Sequence, residues 1–443
     1  MGSSSTAGRK RRPGTWQKIR KAFNDVHLWL GLASGIVVVV VCLSGTIYTY
    51  NTELREMAAS HLHRVDVPDG GQRLPADSLA GMVAQVSEGT VSAVVIPANP
   101  KRSFQYSVRT EGDNSRFGTV YYLNPYTGAI LGTSKEETGT AKFMGFLFSL
   151  HRWLLLDKIE EPIFGELPNR KLGSYITGAA TILFTLGVIT GMVIWFPQKL
   201  RSWRHGLKIK WSGGWKRINH DLHNTLAFYS LIFLFLMGVT GPQWSFPWYR
   251  EGLQKSLGTY KEAPGGGGRG GNGPQAGGGR ERGAGAPGAD RQQAPEAQEA
   301  VVEAVPRLSL ETYLAAADQA LPYSGDYRVT LPAGDSKELS LSKNRTGFFA
   351  PAAGDQLKLD IATASVQEVT RFRDKPFNER VAGSIKALHI GDVYGQFTKL
   401  LYFFACLVAT SLPITGTLIW LNKMKKKKPA KDGRRKRVLE PQV

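Results

Sequence analysis

The chain has 443 residues, of which 42% are hydrophobic and 21% charged, with a net charge of +20. That length allows two or three domains with real cores, and the positive charge sits in three clusters at hydrophobic boundaries, which argues for a lipid bilayer as neighbour and against nucleic acid. Only two cysteines occur, Cys42 and Cys406, and no C-x-x-C-H is present. Covalent c-type haem, an all-cysteine iron–sulfur cluster and a disulfide framework are therefore excluded.

In chain order, residues 1–24 form a basic segment in which Arg9, Lys10, Arg11, Arg12, Lys18, Arg20 and Lys21 have no acid among them. Residues 25–50 are an apolar span that exceeds the roughly 20 residues needed to cross a bilayer. It ends in "LSGTIYTYN" without an A-x-A-like cleavage site, so it reads as an anchor and not as a cleaved signal. Residues 51–140 read as a small α+β module. "ADSLAGMVAQVSE" has helical spacing, "SAVVIP", "SFQYSVR" and "TVYYLN" alternate as strands, and "NPYTGAILG" turns into a last strand.

A pre-membrane segment at 141–171 leads into a second span at 172–197. The short loop 198–217 carries Lys199, Arg201, Arg204, Lys208, Lys210, Lys216 and Arg217, again without acids before Asp221. A third span follows at 218–245. Residues 246–300 include a stretch, 264–298, dominated by Gly, Pro, Ala and Gln, with too little apolar surface to offset its ordering entropy; it reads as a disordered insertion. A second α+β module is expected at 301–384, with "LSLETYLAAADQAL" as its helix and "YRVTLP", "ELSLS" and "QLKLDIATASVQEV" as its strands. Residues 385–422 hold a short segment and the fourth span. The tail, 423–443, has ten Lys/Arg against Asp432 and Glu440.

Even numbers of crossings separate the three basic clusters, as the positive-inside rule requires. The expectation is a multi-pass membrane protein with both termini and the 198–217 loop cytoplasmic, and both α+β modules on the outer side.

The chain is duplicated. D-x-H-x-x-L occurs at Asp25-Val26-His27 with Leu30 and at Asp221-Leu222-His223 with Leu226. The first and third spans end in "LSGTIYTYN" and "VTGPQWSFPW", the second and fourth in "ITGMVIWFP" and "ITGTLIWLN". A Leu-His precedes each of the latter, at His151 and His389. Four of the eight histidines thus occupy equivalent positions. Topology pairs His27 with His223 at one face and His151 with His389 at the other.

One neutral imidazole from each of two helices is what a bridging redox group needs, and haem iron is the obvious acceptor. His27, Gly31 and Gly35 share a helix face, and Ala227 follows His223 by one turn, leaving room for a flat macrocycle. Competing readings are a polar anchor for a lone interfacial histidine, helix packing for Gly31-x-x-x-Gly35, and N-capping for Asn24, Asp25 and Asp221. The paired recurrence of four histidines favours ligation over these. His220 competes with His223 but has no counterpart in the first repeat, and His61, His63 and His205 lie outside the pattern.

From about Lys21 to Trp420, through "DVHLWLGLASGI", "YYLNPYTGAILG", "LHRWLL", "DLHNTLAFY", "LHIGDVYG" and "ITGTLIW", the sequence resembles the PepSY-associated transmembrane family of di-haem inner-membrane siderophore reductases. The resemblance implies a membrane α-helical plus α+β fold: four transmembrane helices and two periplasmic PepSY-like modules, internally duplicated. It implies two haem b groups with His27, His223, His151 and His389 as axial ligands, and electron transfer to a periplasmic acceptor, notably a ferric siderophore or other ferric chelate. The sequence departs from that pattern at Ala227, in "DIATAS", which lacks the Thr-Gly turn of the first module, and in the Gly-rich insertion. No dinucleotide or flavin fingerprint is visible, so electrons would come from a cytoplasmic partner or from quinol. The alternatives are a non-enzymatic PepSY binding or regulatory module, and a metal permease using Asp25/His27 and Asp221/His223.

Overall fold

A computed structural model describes residues 15–110, 118–196, 200–261, 307–332 and 336–425. The expected disordered stretch, 264–298, lies outside these residues. Among the described residues, four helices are long and apolar enough to cross a membrane. The first, α1 (Thr15–Tyr48), spans about 50 Å at roughly 1.5 Å per residue, against a hydrocarbon core of roughly 30 Å. It begins ten residues before the apolar span, so the basic residues from Lys18 to Lys21 form its first turns. Asn24 and Asp25 are consequently interior helix positions, not N-caps.

Two short helices follow, α2 (Asn51–Ala58) and α3 (Ser60–His63), then α4 (Ala76–Val86) and four strands: β1 (Gly89–Ile96), β2 (Phe104–Thr110), β3 (Thr119–Leu123) and β4 (Ile130–Thr133). Helix α5 (Gly139–Trp153) leads into the second membrane helix, α6 (Asn169–Trp195), and the third, α7 (Trp215–Thr240). After α8 (Pro247–Ser256), the second module repeats the first: α9 (Leu310–Ala320), β5 (Gly325–Thr330), β6 (Glu338–Arg345), β7 (Asp355–Asp360) and β8 (Val366–Thr370). Short α10 (Phe377–Gly383) and α11 (Ile385–Ile390) precede the last membrane helix, α12 (Gly395–Lys425).

The two modules are not separate bodies. Their strands form one eight-stranded sheet in the order β4-β3-β2-β1-β5-β6-β7-β8, with β1 antiparallel to β5 from Ala93 opposite Thr330 to Ile96 opposite Tyr327. Each module's first strand would be an exposed edge alone, and pairing the two removes both edges. One continuous core results, in which Leu79, Val94 and Tyr106 of the first module join Tyr313, Val329 and Leu341 of the second.

The helices exchange caps across the seam. Asp77 of α4 accepts from the Leu310 amide at the start of α9, and Glu311 of α9 accepts from the Ala76 amide at the start of α4. Each carboxylate thereby satisfies an orphan donor at the positive end of its partner's dipole.

The "DIATAS" departure leaves the turn intact. Asp360 accepts from the Ala362 and Thr363 amides, much as Asn124 accepts from Tyr126 in the first module. Ala364 adopts φ +54, where Gly128 has φ +74. The alanine takes the glycine's left-handed conformation against a steric cost of roughly 1–2 kcal/mol.

The chain forms two compact units. One comprises residues 1–39, 180–235 and 408–443; the other comprises 40–179 and 236–407, including the whole sheet. His27 and His223 fall in the first unit, His151 and His389 in the second.

Candidate functional site

In the first unit, His27 on α1 and His223 on α7 face each other with ring centroids 6.3 Å apart and planes at 81°. His27 Nδ1 lies 3.0 Å from the Gly187 carbonyl and 3.2 Å from Thr190 Oγ1, both on α6. The Thr190 hydroxyl already donates its one proton to its own helix, at Leu186 or Gly187. It can therefore only accept from the imidazole, and Nδ1 must carry the hydrogen. His223 repeats the arrangement: Nδ1 is 2.8 Å from Thr415 Oγ1 on α12, whose proton goes to Ser411 or Leu412.

In the second unit, His151 lies in the last turn of α5 and donates from Nδ1 to the Val41 carbonyl of α1 at 2.8 Å. His389 of α11 has Nδ1 3.0 Å from Thr240 Oγ1 at the end of α7, and that hydroxyl donates to Leu236. The two rings are 6.2 Å apart, with planes at 64°. Both helices stop within two residues of their histidine and are followed by left-handed positions, Leu154 (φ 53) and Leu155 (φ 63) after α5 and Gly391 (φ 80) after α11. These caps hold each ring at a fixed helix end. The Trp244 ring packs 5.0 Å from His389, and its carbonyl accepts from Arg152.

All four histidines thus read a hydroxyl, or the carbonyl three residues before one, in the dipeptides Ser44-Gly45, Thr190-Gly191, Thr240-Gly241 and Thr415-Gly416. At three of them the glycine makes room. A Cβ on Gly45 would sit 3.0 Å from His151 Cε1, on Gly191 3.1 Å from His27 Cε1, and on Gly416 3.3 Å from His223 Cε1. Sequence reasoning quoted these dipeptides as matching repeat ends and gave them no role. The available signal was their fourfold recurrence, once in each membrane span.

The remaining candidates sort by contact. His220 is exposed and meets Asn224 and Asp221, not the facing ring. His61 pairs with Glu136 at 2.9 Å, and His63 packs on Tyr122; the His205 side chain lies outside the described residues. The two aspartates of the repeat have diverged. Asp25 is exposed, whereas Asp221 is buried within α7, where it is no N-cap: it accepts from Arg217 Nε at 2.8 Å and from the Lys210 amide at 3.2 Å, tying the basic loop to the helix. Gly31 has nothing within 4 Å of a built Cβ, while Gly35 packs 3.3 Å from Pro413. Gly31 is thus open surface on α1, and Gly35 serves helix packing. Ala227 is half-buried.

With Nδ1 protonated, Nε2 of each ring is the free acceptor. A metal about 2.0–2.1 Å from each of two such nitrogens sets the ring centroids roughly 6–6.5 Å apart once the ring radii are added, which both pairs match. Nδ1 donation to a carbonyl or hydroxyl is also the usual orienting contact of a ligating imidazole. Burial holds His151 below the ordinary imidazole range and takes His389 to about 3, with repulsion from any charge on His151 and from Arg152 adding to the shift, and the neutral form is the one a metal takes. Among the described residues no cluster of three or more His, Cys, Asp or Glu is arranged to hold a bare metal ion. Each pair suits a group that brings its own equatorial donors.

No curated protein matches the chain. Residues 25–423 match the profile of the PepSY-associated TM region, and with its four apolar helices and duplicated α+β sheet this chain is a membrane protein belonging to that family.

Proposed function

We propose that the protein is a di-haem b electron conduit of the bacterial inner membrane, with cytoplasmic termini and a periplasmic sheet domain. In this reading it takes electrons from a cytoplasmic or quinol donor and passes them to ferric iron held by a siderophore or another periplasmic ferric chelate. One observation supports it: two histidine pairs at 6.3 and 6.2 Å, each ring oriented through Nδ1, which leaves Nε2 as the acceptor nitrogen.

His27 and His223 would hold one haem, and His151 and His389 the other. Bound haem supplies a one-electron couple. The chain's own residues do the rest. The four Nδ1–H contacts fix ring orientation, and the left-handed caps after His151 and His389 hold that pair at helix ends. Iron(II) is a poorer partner than iron(III) for hard siderophore oxygens, so reduction would release the metal. The permease alternative loses support because Asp25 is exposed and Asp221 is engaged by Arg217.

The test begins with the absorption spectrum and pyridine-haem count of the purified protein, expected to give two haems per chain. Chemically reduced protein, free of oxygen, is then mixed with ferric siderophores while haem reoxidation and chelator-trapped iron(II) are followed. Purification without Soret absorption after haem supplementation would favour a non-enzymatic PepSY binding module. Haems reoxidised by oxygen but by no ferric complex would refute the reductase assignment.

A further inference from the structure

A buried ion cluster lies at the start of α12. Lys399 has a side chain only 7% exposed, with Nζ 2.7 Å from Glu53 Oε1 of α2 and 3.9 Å from Asp392. Gln396 donates to the same Glu53 oxygen at 2.5 Å. The other, Glu53 Oε2, is buried without a hydrogen-bond partner. Two carboxylates share one ammonium, and they share it unequally: Lys399 is committed to Glu53, leaving Asp392 partly compensated.

Asp392 follows His389 by three residues. Gly391 between them is left-handed, and a Cβ there would meet Tyr402 at 2.5 Å, so the turn has little freedom. The charged and titratable groups acting on Asp392 are Glu53, Lys386 of α11 and Lys399, with Tyr50 beside Glu53. We infer that Asp392 is a proton-loading group, taking a proton from solvent when the centre held by His151 and His389 gains an electron and releasing it when the electron leaves. This rests on the haem reading of that pair.

The physical cause is charge balance in a poorly solvated site. The oxidised centre's positive charge favours the Asp392 carboxylate, and its loss on reduction raises proton affinity. Burial already pushes Asp392 above the usual carboxylate range, with Lys399 opposing and Glu53 adding to the shift. Glu53 does not compete: burial raises it too, but Lys399 and Gln396 together bring it below its ordinary value. One electron and one proton enter together, and both leave when the acceptor is reduced.

The test is spectroelectrochemical titration of the haem-loaded full chain over about pH 5–8, with both haems counted in every variant. In the wild type, the potential of the haem lost in His389→Ala should fall as pH rises, by up to one proton per electron. Asp392→Asn should give a higher, pH-independent potential. Glu53→Gln frees Lys399 for Asp392 and should move the inflection to lower pH. A flat wild-type profile overturns the inference, as does a slope that survives Asp392→Asn, while the haem assignment stands in both cases. Absence of haem overturns the proposed function, and this inference with it.

Discussion

Replacing Gly45 with valine should remove or weaken the haem at His151 and His389 while sparing the one at His27 and His223. A Cβ at this position lies 3.0 Å from His151 Cε1, 3.1 Å from its Nδ1 and 3.7 Å from Cys406 Sγ. Carbon–carbon contacts prefer about 3.5–4.0 Å, so the ring must retreat by roughly half an ångström, and valine's γ carbons demand more. Retreat is opposed by the 2.8 Å bond to Val41, one turn before Gly45 on the same helix. Overpacking of this kind costs about 1–3 kcal/mol. At about 1.4 kcal/mol per tenfold, that is roughly 5- to 150-fold in affinity, comparable to losing an orienting contact to a ligating imidazole. The assay is haem titration into purified variant, with pyridine-haem stoichiometry and separate reductive titration of the two centres. Two haems with unchanged affinities and potentials would refute the argument, because the glycine would then not be needed for ring placement. Loss of the other haem would refute the pairing itself.

The pairing makes a direct prediction: His27→Ala and His223→Ala each remove one and the same haem, His151→Ala and His389→Ala remove the other, and His220→Ala leaves both, read from stoichiometry and difference spectra. Asp77→Ala and Glu311→Ala should each destabilise the sheet domain by about 1–2 kcal/mol, seen as a lower melting midpoint of the full chain in the β-sheet circular dichroism signal; no change in either would mean the exchanged caps contribute nothing. Ala364→Gly should be stabilising by up to about 1 kcal/mol, because relief of the left-handed alanine exceeds the added chain entropy of glycine. A lower melting midpoint would contradict that balance.

Much of the architecture was legible because it is written in local patterns. The spans at 25–50, 172–197 and 218–245, and the one that follows the short segment within 385–422, follow from apolar length, and the strands at "SFQYSVR" and "ELSLS" from alternation. The four histidines stood out because duplication repeats local motifs. The start of the first helix was not legible, and with it whether Asn24 and Asp25 are N-caps, since the apolar run starts after the helix does: a basic start such as "TWQKIRKAF" carries no boundary signal.

What the sequence by itself determined was the inventory: four spans, a duplicated α+β unit, and one repeated histidine per helix-bearing segment. Tertiary structure decided the partners. His27 meets Thr190 and His223 meets Thr415 across more than a hundred and fifty residues, and β1 joins β5 into one sheet. It also separated Gly31 from Gly35 and Asp221 from Asp25, residues that spacing had treated as equivalent. The reason is physical. Periodicity specifies which face of a helix or strand is apolar, but the neighbour on that face is chosen by packing among all the elements at once, and only the folded chain contains that choice.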